Sequence, residues 1–165
     1  GGYVAERFAD MGYQVSGWSN SPKEFAQVKS YVGTEQLSEF LAHSQILINL
    51  MPLTADNTGI LSEQLFKKLP DQAALIQVGR GQHLIEQDLL NALDSGQLRG
   101  AIVDVFEEEP LAAEHPFWQH EKIVVTPHVA SHAPMSVVVE QILENDRRLN
   151  LGLDLCHQVD VNKGY

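Results

Sequence analysis

Residues 73–105 read AALIQVGRGQHLIEQDLLNALDSGQLRGAIVDV. Ala73–Val78 is an apolar run of strand length, Gly79-Arg80-Gly81 breaks it, and a helical pattern follows from about Glu86 to Ser95 with Leu89, Leu90 and Leu93 on one face. Gly96 ends that helix, and Gly100 leads into a second apolar strand, Ala101–Val105. Strand, helix and strand in that order form the repeating unit of a parallel sheet, because parallel neighbours need a connection long enough to return to the starting edge.

The alternation extends in both directions. Upstream, Tyr3–Met11 places Val4, Phe8 and Met11 at helical spacing, Gly12 serves as its C-cap, and Tyr13–Trp18 is β-prone. Ser21-Pro22 opens a turn or short helix and Tyr31-Val32 is a short extended piece. Thr34 caps a helix with Leu37, Phe40 and Leu41 on one face, and the strand Ile46–Met51 ends at Pro52. Ser62 caps a short helix through Leu69. Downstream lie an acidic loop, Glu107–Glu114, a short strand, Ile123–Thr126, and a long helix from Pro134 to about Leu151. The strands are apolar nearly throughout, as in sheets covered on both faces by helices. The fold class is therefore α/β, a doubly wound parallel sheet of the Rossmann type.

A chain of 165 residues suffices for one ordinary domain. It has 11 Lys+Arg against 22 Asp+Glu, a net charge of −11, which argues against nucleic acid or an anionic membrane as the main partner. The single cysteine, Cys156, excludes an internal disulfide framework and a cysteine-built zinc site, and fits a reducing compartment. No apolar run approaches the ~20 residues that span a bilayer. A soluble, cytoplasmic protein is expected. His43, His83, His115, His120, His132 and His157 show no metal-ligand spacing, and no metal is assigned.

Gly1 precedes a helix, and the strand after that helix ends at Trp18-Ser19, close to the ~20-residue offset at which a dinucleotide fold places its ribose-reading residue. Gly1 then reads as the last glycine of GxGxxG, with the first strand, central in the sheet, upstream of residue 1; the glycine pair also suits a flexible terminal addition. The turn Ser19-Asn20-Ser21-Pro22-Lys23 has hydroxyls, an amide and a cation but no carboxylate. That favours NADP over NAD, although an ordinary turn uses the same residue types.

Three further segments place a polar residue just past a strand's carboxyl end. Arg80 sits between glycines after Ala73–Val78, Asp104 ends Ala101–Val105 with Glu109-Pro110 beyond it, and His128 follows Thr126-Pro127. Singly, Arg80 reads equally as a solvated turn cation, Glu109 as one of the run Glu107–Glu109, and His128 as a loop histidine. Jointly they supply what reduction of a 2-oxo acid requires: a guanidinium to grip the carboxylate, an imidazole to protonate the carbonyl oxygen, and a carboxylate to hold the imidazole's tautomer. Trp118 reads as a packing residue or part of a subunit interface.

The chain resembles the D-isomer-specific 2-hydroxyacid dehydrogenases over nearly its whole length. The matching segments are Pro52-Leu53-Thr54 with Thr58-Gly59, Val78-Gly79-Arg80-Gly81 with Glu86 and Leu89-Leu90, Asp104-Val105-Phe106 with Glu109-Pro110-Leu111, and Thr126-Pro127-His128-Val129-Ala130. The resemblance implies that Arg80 binds the substrate carboxylate, His128 donates and accepts the proton, Glu109 is its partner, Asp104 faces the nicotinamide end, and Gly1 is the third fingerprint glycine. It also places Ser19, Asn20, Lys23, Pro52, Thr58 and Gly79 at the cofactor.

Within that family Trp18-Ser19, Ile48–Pro52, Phe117–His120, Gln158-Val159-Asp160 and Gly164-Tyr165 look like the glyoxylate/hydroxypyruvate reductase A type, which uses NADPH. Asn20 departs from the arginine usual in such members. Gln77 with Gly79 departs from the wider family's Asn and Ala, a change expected to be tolerated. The resemblance implies that residues 1–151 are the nucleotide-binding domain, that 152–165 return to a substrate domain lying mostly upstream, and that the protein is a homodimer. A dinucleotide-sensing corepressor on the same scaffold, or a phosphoglycerate or formate dehydrogenase, is the alternative.

Overall fold

A computed structural model of the chain describes residues 1–131 and 133–160; His132, Gly164 and Tyr165 lie outside the described residues. The chain divides into two compact units, Gly1–Pro127 and residues 128–165. The first begins with α1 (Gly2–Asp10), β1 (Val15–Ser19), β2 (Val28–Val32), α2 (Gly33–Ala42) and β3 (Ile46–Asn49). It continues through α3 (Glu63–Phe66), β4 (Ala73–Gln77), α4 (Glu86–Asp94), β5 (Leu98–Val103) and β6 (Ile123–Val125). Among the described residues every strand pairing is parallel, in two sheets, β1-β2 and β3-β4-β5-β6. The doubly wound reading holds, and β1 and β3 are not joined, where the sequence expects an upstream strand to lie.

Local chemistry explains most boundaries. At the end of α1 the Gly12 N–H donates to the Ala9 carbonyl at 2.9 Å and the Tyr13 N–H to that of Phe8 at 3.1 Å, with Gly12 at φ 88°. This is a Schellman end, and the Phe8 and Tyr13 rings meet edge-on at 5.6 Å as its hydrophobic contact.

The expected caps of the next two helices are not used. Thr34 lies inside α2, where the Val32 N–H instead donates to Gln36 Oε1 at 2.6 Å. Ser62 precedes α3, which stops at Phe66 rather than Leu69, and the Glu63 N–H is capped by Asp88 Oδ2 of α4 at 2.8 Å. β5 starts at Leu98, so Gly100 falls within it; the register shifts there, from Ala73↔Leu98 to Ala74↔Gly100.

The core lies on one face of the four-stranded sheet, where Leu47, Leu75, Ala101 and Val103 pack with Leu61, Phe66, Leu89, Leu93 and Phe117. The opposite face departs from the expectation of cover on both sides. Ile48, Ile76, Ile102 and Val124 stand in register across it, and Ile102 and Val124 are 38% and 57% exposed. Likewise Phe117 takes the core position expected of Trp118, which is half exposed and donates its Nε1–H to the Ala112 carbonyl at 2.9 Å.

In the second unit α5 (Met135–Asn150) begins after Pro134. Asn145 holds the chain that follows: Nδ2 donates to the Cys156 carbonyl at 3.2 Å and Oδ1 accepts the Cys156 N–H at 2.8 Å. Among the described residues no helix is long and apolar enough to cross a membrane.

Candidate active site

Register sets the line on which the site is built. Asn49, Gln77 and Val103 are opposite one another at the carboxyl ends of β3, β4 and β5. The Asp104 N–H donates to the Gln77 carbonyl and the Thr126 N–H to the Val103 carbonyl, both at 3.0 Å. All four strands therefore end together, the edge at which open parallel sheets bind ligands.

The turn after β4 and the loop after β5 meet at backbone level. A Cβ on Gly81 would fall 1.9 Å from both the carbonyl carbon and oxygen of Phe106, so only glycine fits. The Phe106 N–H in turn donates to Glu109 Oε1 at 3.0 Å. Arg80 and Glu109 are thus carried on two segments locked together. Both side chains are exposed at that edge, and Arg80 Nη1 donates to the Gly79 carbonyl at 2.7 Å.

Asp104 is 1% exposed and accepts the Thr126 hydroxyl at 2.5 Å. A carboxylate at this depth is retained by charge-assisted hydrogen bonds. Pro52 and Thr58 lie on one turn after β3: the Pro52 carbonyl accepts from Asn57 Nδ2 at 2.8 Å, and the Thr58 hydroxyl donates to the Thr54 carbonyl at 3.1 Å. His128 opens the second unit, with its backbone in the left-handed region at φ 53°, a conformation that costs a non-glycine residue energy and clusters at functional sites.

The expected cofactor residues at the other sheet lie at the start of α1, at the end of β1 and in the turn past it. Gly1 is the N-cap of α1 and its carbonyl accepts the Ala5 N–H at 3.0 Å; a Cβ there would meet no atom within 4 Å, so nothing among the described residues requires glycine. Ser19 donates its hydroxyl to the Ser21 carbonyl at 2.6 Å, which shapes the exposed turn carrying Asn20 and Lys23. A turn with one cation and no carboxylate before Glu24 suits a phosphate chemically.

Sequence reasoning missed three buried polar residues beneath the Arg80 turn: Asn49, Gln77 and His83. Asn49 and Gln77 each interrupt an otherwise apolar strand end, which was the available signal. Gly79 also has a role that the expectation of mere tolerance overlooked, since a Cβ there would lie 2.7 Å from Asn49 Nδ2 and 2.9 Å from His83 Nδ1. Burial, the leading cause, pushes the His83 imidazole below its ordinary value.

The model of the D-isomer specific 2-hydroxyacid dehydrogenase NAD-binding domain matches residues 1–130. Among solved structures, a D-isomer specific 2-hydroxyacid dehydrogenase family protein from Klebsiella pneumoniae 342 is 51% identical, with a TM-score of 0.91 over 96% of this chain and 51% of that one. A D-isomer specific 2-hydroxyacid dehydrogenase from Xanthobacter autotrophicus Py2, in complex with NADPH and MES, is 40% identical with a TM-score of 0.95, over 98% of this chain and 67% of that one. The NADPH-dependent glyoxylate/hydroxypyruvate reductase of Sinorhizobium meliloti, in complex with NADP and sulfate, is 39% identical with a TM-score of 0.96, over all of this chain and 54% of that one. The chain thus spans about half the length of the Klebsiella and Sinorhizobium proteins. With the family model matched across both sheets and the site edge, this chain belongs to the D-isomer specific 2-hydroxyacid dehydrogenase family, in its NAD-binding domain.

Proposed function

We propose that the chain is the dinucleotide-binding part of an oxidoreductase that reduces a small 2-oxo acid, glyoxylate or hydroxypyruvate, to the 2-hydroxy acid with NADPH. One observation carries the reading. Arg80 and Glu109 follow neighbouring parallel strands on segments joined through Gly81 and Phe106, in a chain of this family.

When bound, NADPH supplies the hydride that reaches C2 of the oxo acid. Arg80 holds the substrate carboxylate with paired donors and thereby orients the adjacent carbonyl. Its bond to the neutral Gly79 carbonyl is weaker than one to a carboxylate, so substrate displaces it favourably. His128 gives its proton to the carbonyl oxygen as negative charge develops there, and Glu109 supplies the carboxylate that fixes the imidazole's tautomer.

Asp104, Gly79, Pro52 and Thr58 border the cofactor along the sheet edge, with Gly1 at its pyrophosphate. Ser19, Asn20 and Lys23 meet the 2′-phosphate, a choice supported by the turn's lack of a carboxylate and by the NADPH and NADP in two solved relatives. Residues 1–151 form the nucleotide-binding domain and 152–165 return to the substrate domain of a cytoplasmic homodimer.

The test is the initial rate of absorbance loss at the nicotinamide band in the full-length protein, with glyoxylate or hydroxypyruvate and with NADPH or NADH side by side. Fast turnover favouring NADPH is expected. Preference for NADH would overturn the cofactor assignment alone. Absence of turnover with any small 2-oxo acid would leave a dinucleotide sensor as the better reading.

A further inference from the structure

The polar cluster beneath the Arg80 turn holds both backbone hydrogen-bonding groups of that residue. Asn49, at the end of β3, and Gln77, opposite it at the end of β4, are 4% and 0% exposed; His83, from the short turn after Arg80, is fully buried with them. Asn49 Nδ2 donates to Gln77 Oε1 at 2.7 Å and reaches His83 Nδ1 at 3.0 Å. The Arg80 N–H donates to His83 Nδ1 at 3.1 Å, and Gln77 Nε2 donates to the Arg80 carbonyl at 2.7 Å. Asn49 Oδ1 accepts the Met51 N–H at 3.1 Å, which ties the cluster to the turn leading into Pro52.

This arrangement is expensive for a surface turn. An exposed residue's backbone groups can be satisfied by water, whereas three polar side chains in a core each lose solvation. Two donors converge on His83 Nδ1, so that nitrogen carries no proton and Nε2 carries the only one. Nε2 is buried and makes no hydrogen bond of good geometry, while the Pro52 backbone carbonyl acts on the imidazole as an acceptor and works against the lowering by burial. What the cluster fixes is the backbone at Arg80, with φ −141° and ψ 147°.

We infer that His83, together with Asn49 and Gln77, is a positioning residue for Arg80: it clamps the Arg80 backbone from below, so that the exposed guanidinium meets the carboxylate of a 2-oxo acid in one orientation. Gly79 belongs to the device, since its lack of a Cβ admits the Asn49 amide and the His83 ring beneath the turn. The inference rests on the assignment of Arg80 to the substrate carboxylate proposed above.

The test uses the full-length protein with NADPH saturating and the oxo acid varied. His83→Leu removes the acceptor and is expected to raise KM for the oxo acid about tenfold, the scale of one lost positioning hydrogen bond, with KM for NADPH unchanged. His83→Asn, whose Oδ1 replaces Nδ1 as acceptor, is expected to restore most of that loss. A His83→Leu protein that melts earlier but keeps its KM for the oxo acid would overturn the inference and leave His83 merely structural.

Arg80→Gln, measured alongside, separates the two readings. If it leaves KM for the oxo acid unchanged, the carboxylate assignment fails; if it is impaired while His83→Leu is not, only the clamp fails. Should His83→Leu not fold, long-range ¹⁵N correlation of the wild-type histidine rings decides, with the His83 signal assigned by its absence from His83→Asn. A proton on Nε2 supports the clamp, and a proton on Nδ1 overturns it.

Discussion

Gly81 and Phe106 touch so closely that the backbone of one occupies the space where a side chain of the other would begin. Besides the 1.9 Å approach to the Phe106 carbonyl, a Cβ on Gly81 would come within 2.3 Å of the Glu107 nitrogen. These obstacles are main-chain atoms of a loop anchored at its start by β5, so they cannot swing aside as a side-chain tip would. Gly81→Ala is expected to cost about 1–3 kcal/mol through forced displacement of that loop. A urea titration checks it: the midpoint falls while the slope stays constant.

The Thr126 hydroxyl reaches Asp104 across the ends of β6 and β5. Thr126→Val keeps the shape and removes the donor to a nearly inaccessible carboxyl group, at an expected cost of about 1.5–3 kcal/mol. Equilibrium unfolding of the two proteins at neutral pH measures it, and equal stabilities would contradict the importance of this bond.

Acid weakens the fold through two groups. Burial holds His83 below its ordinary 6.5, so the folded protein binds fewer protons here than the unfolded chain. That contribution is complete above pH 6.5 and is lost as pH falls from there toward the folded-state value. Glu144 is pushed down to about 2 by Arg147 first and Arg148 second, so its contribution, in α5, is complete above 4.5 and is lost as pH falls toward 2. Melting temperatures recorded across both ranges are expected to show the upper step disappear in His83→Asn and the lower one in Glu144→Gln.

If Lys23 meets the 2′-phosphate, Lys23→Ala raises KM for NADPH about tenfold or more and leaves KM for NADH where it was, because only one cofactor has the charge that the lysine pairs with. Parallel titrations with the two nucleotides measure the ratio. An equal effect on both would remove Lys23 from cofactor selection.

His128→Asn is expected to lower kcat by about 10²–10⁴ while NADPH still binds, the loss appropriate to a missing proton donor. Turnover and NADPH fluorescence titration on the same preparation separate these effects. Retained turnover would require another acid.

Much of the fold was legible because parallel strands and their turns leave local marks: apolar runs, the glycine ends of α1 and α4, and polar residues just past strand ends. What escaped was non-local. Ser62 has the composition of a cap, but Asp88 makes the bond from 25 residues away. His83 looked like one unremarkable histidine among several, since its partner Asn49 is 34 residues distant and arrives only through sheet register. Phe117 and Trp118 are adjacent aromatics in a 3-10 turn, where neither helical nor strand periodicity says which one faces inward. The uncovered face at Ile102 and Val124 was invisible for the opposite reason: apolar residues on both strand faces say what could be buried, without saying what buries it.

The division between the β1-β2 and β3-β4-β5-β6 sheets bears on how this polypeptide behaves in the test tube. Along one side, β1 and β3 each present amides and carbonyls to no neighbouring strand among the described residues. Ile46 and Leu50, at either end of β3, add exposed apolar surface. Open edges of this kind template further strands, so residues 1–165 made by themselves are set up for concentration-dependent polymerisation by β addition. Soluble yield and light scattering, more than catalysis, are where that division will first be felt.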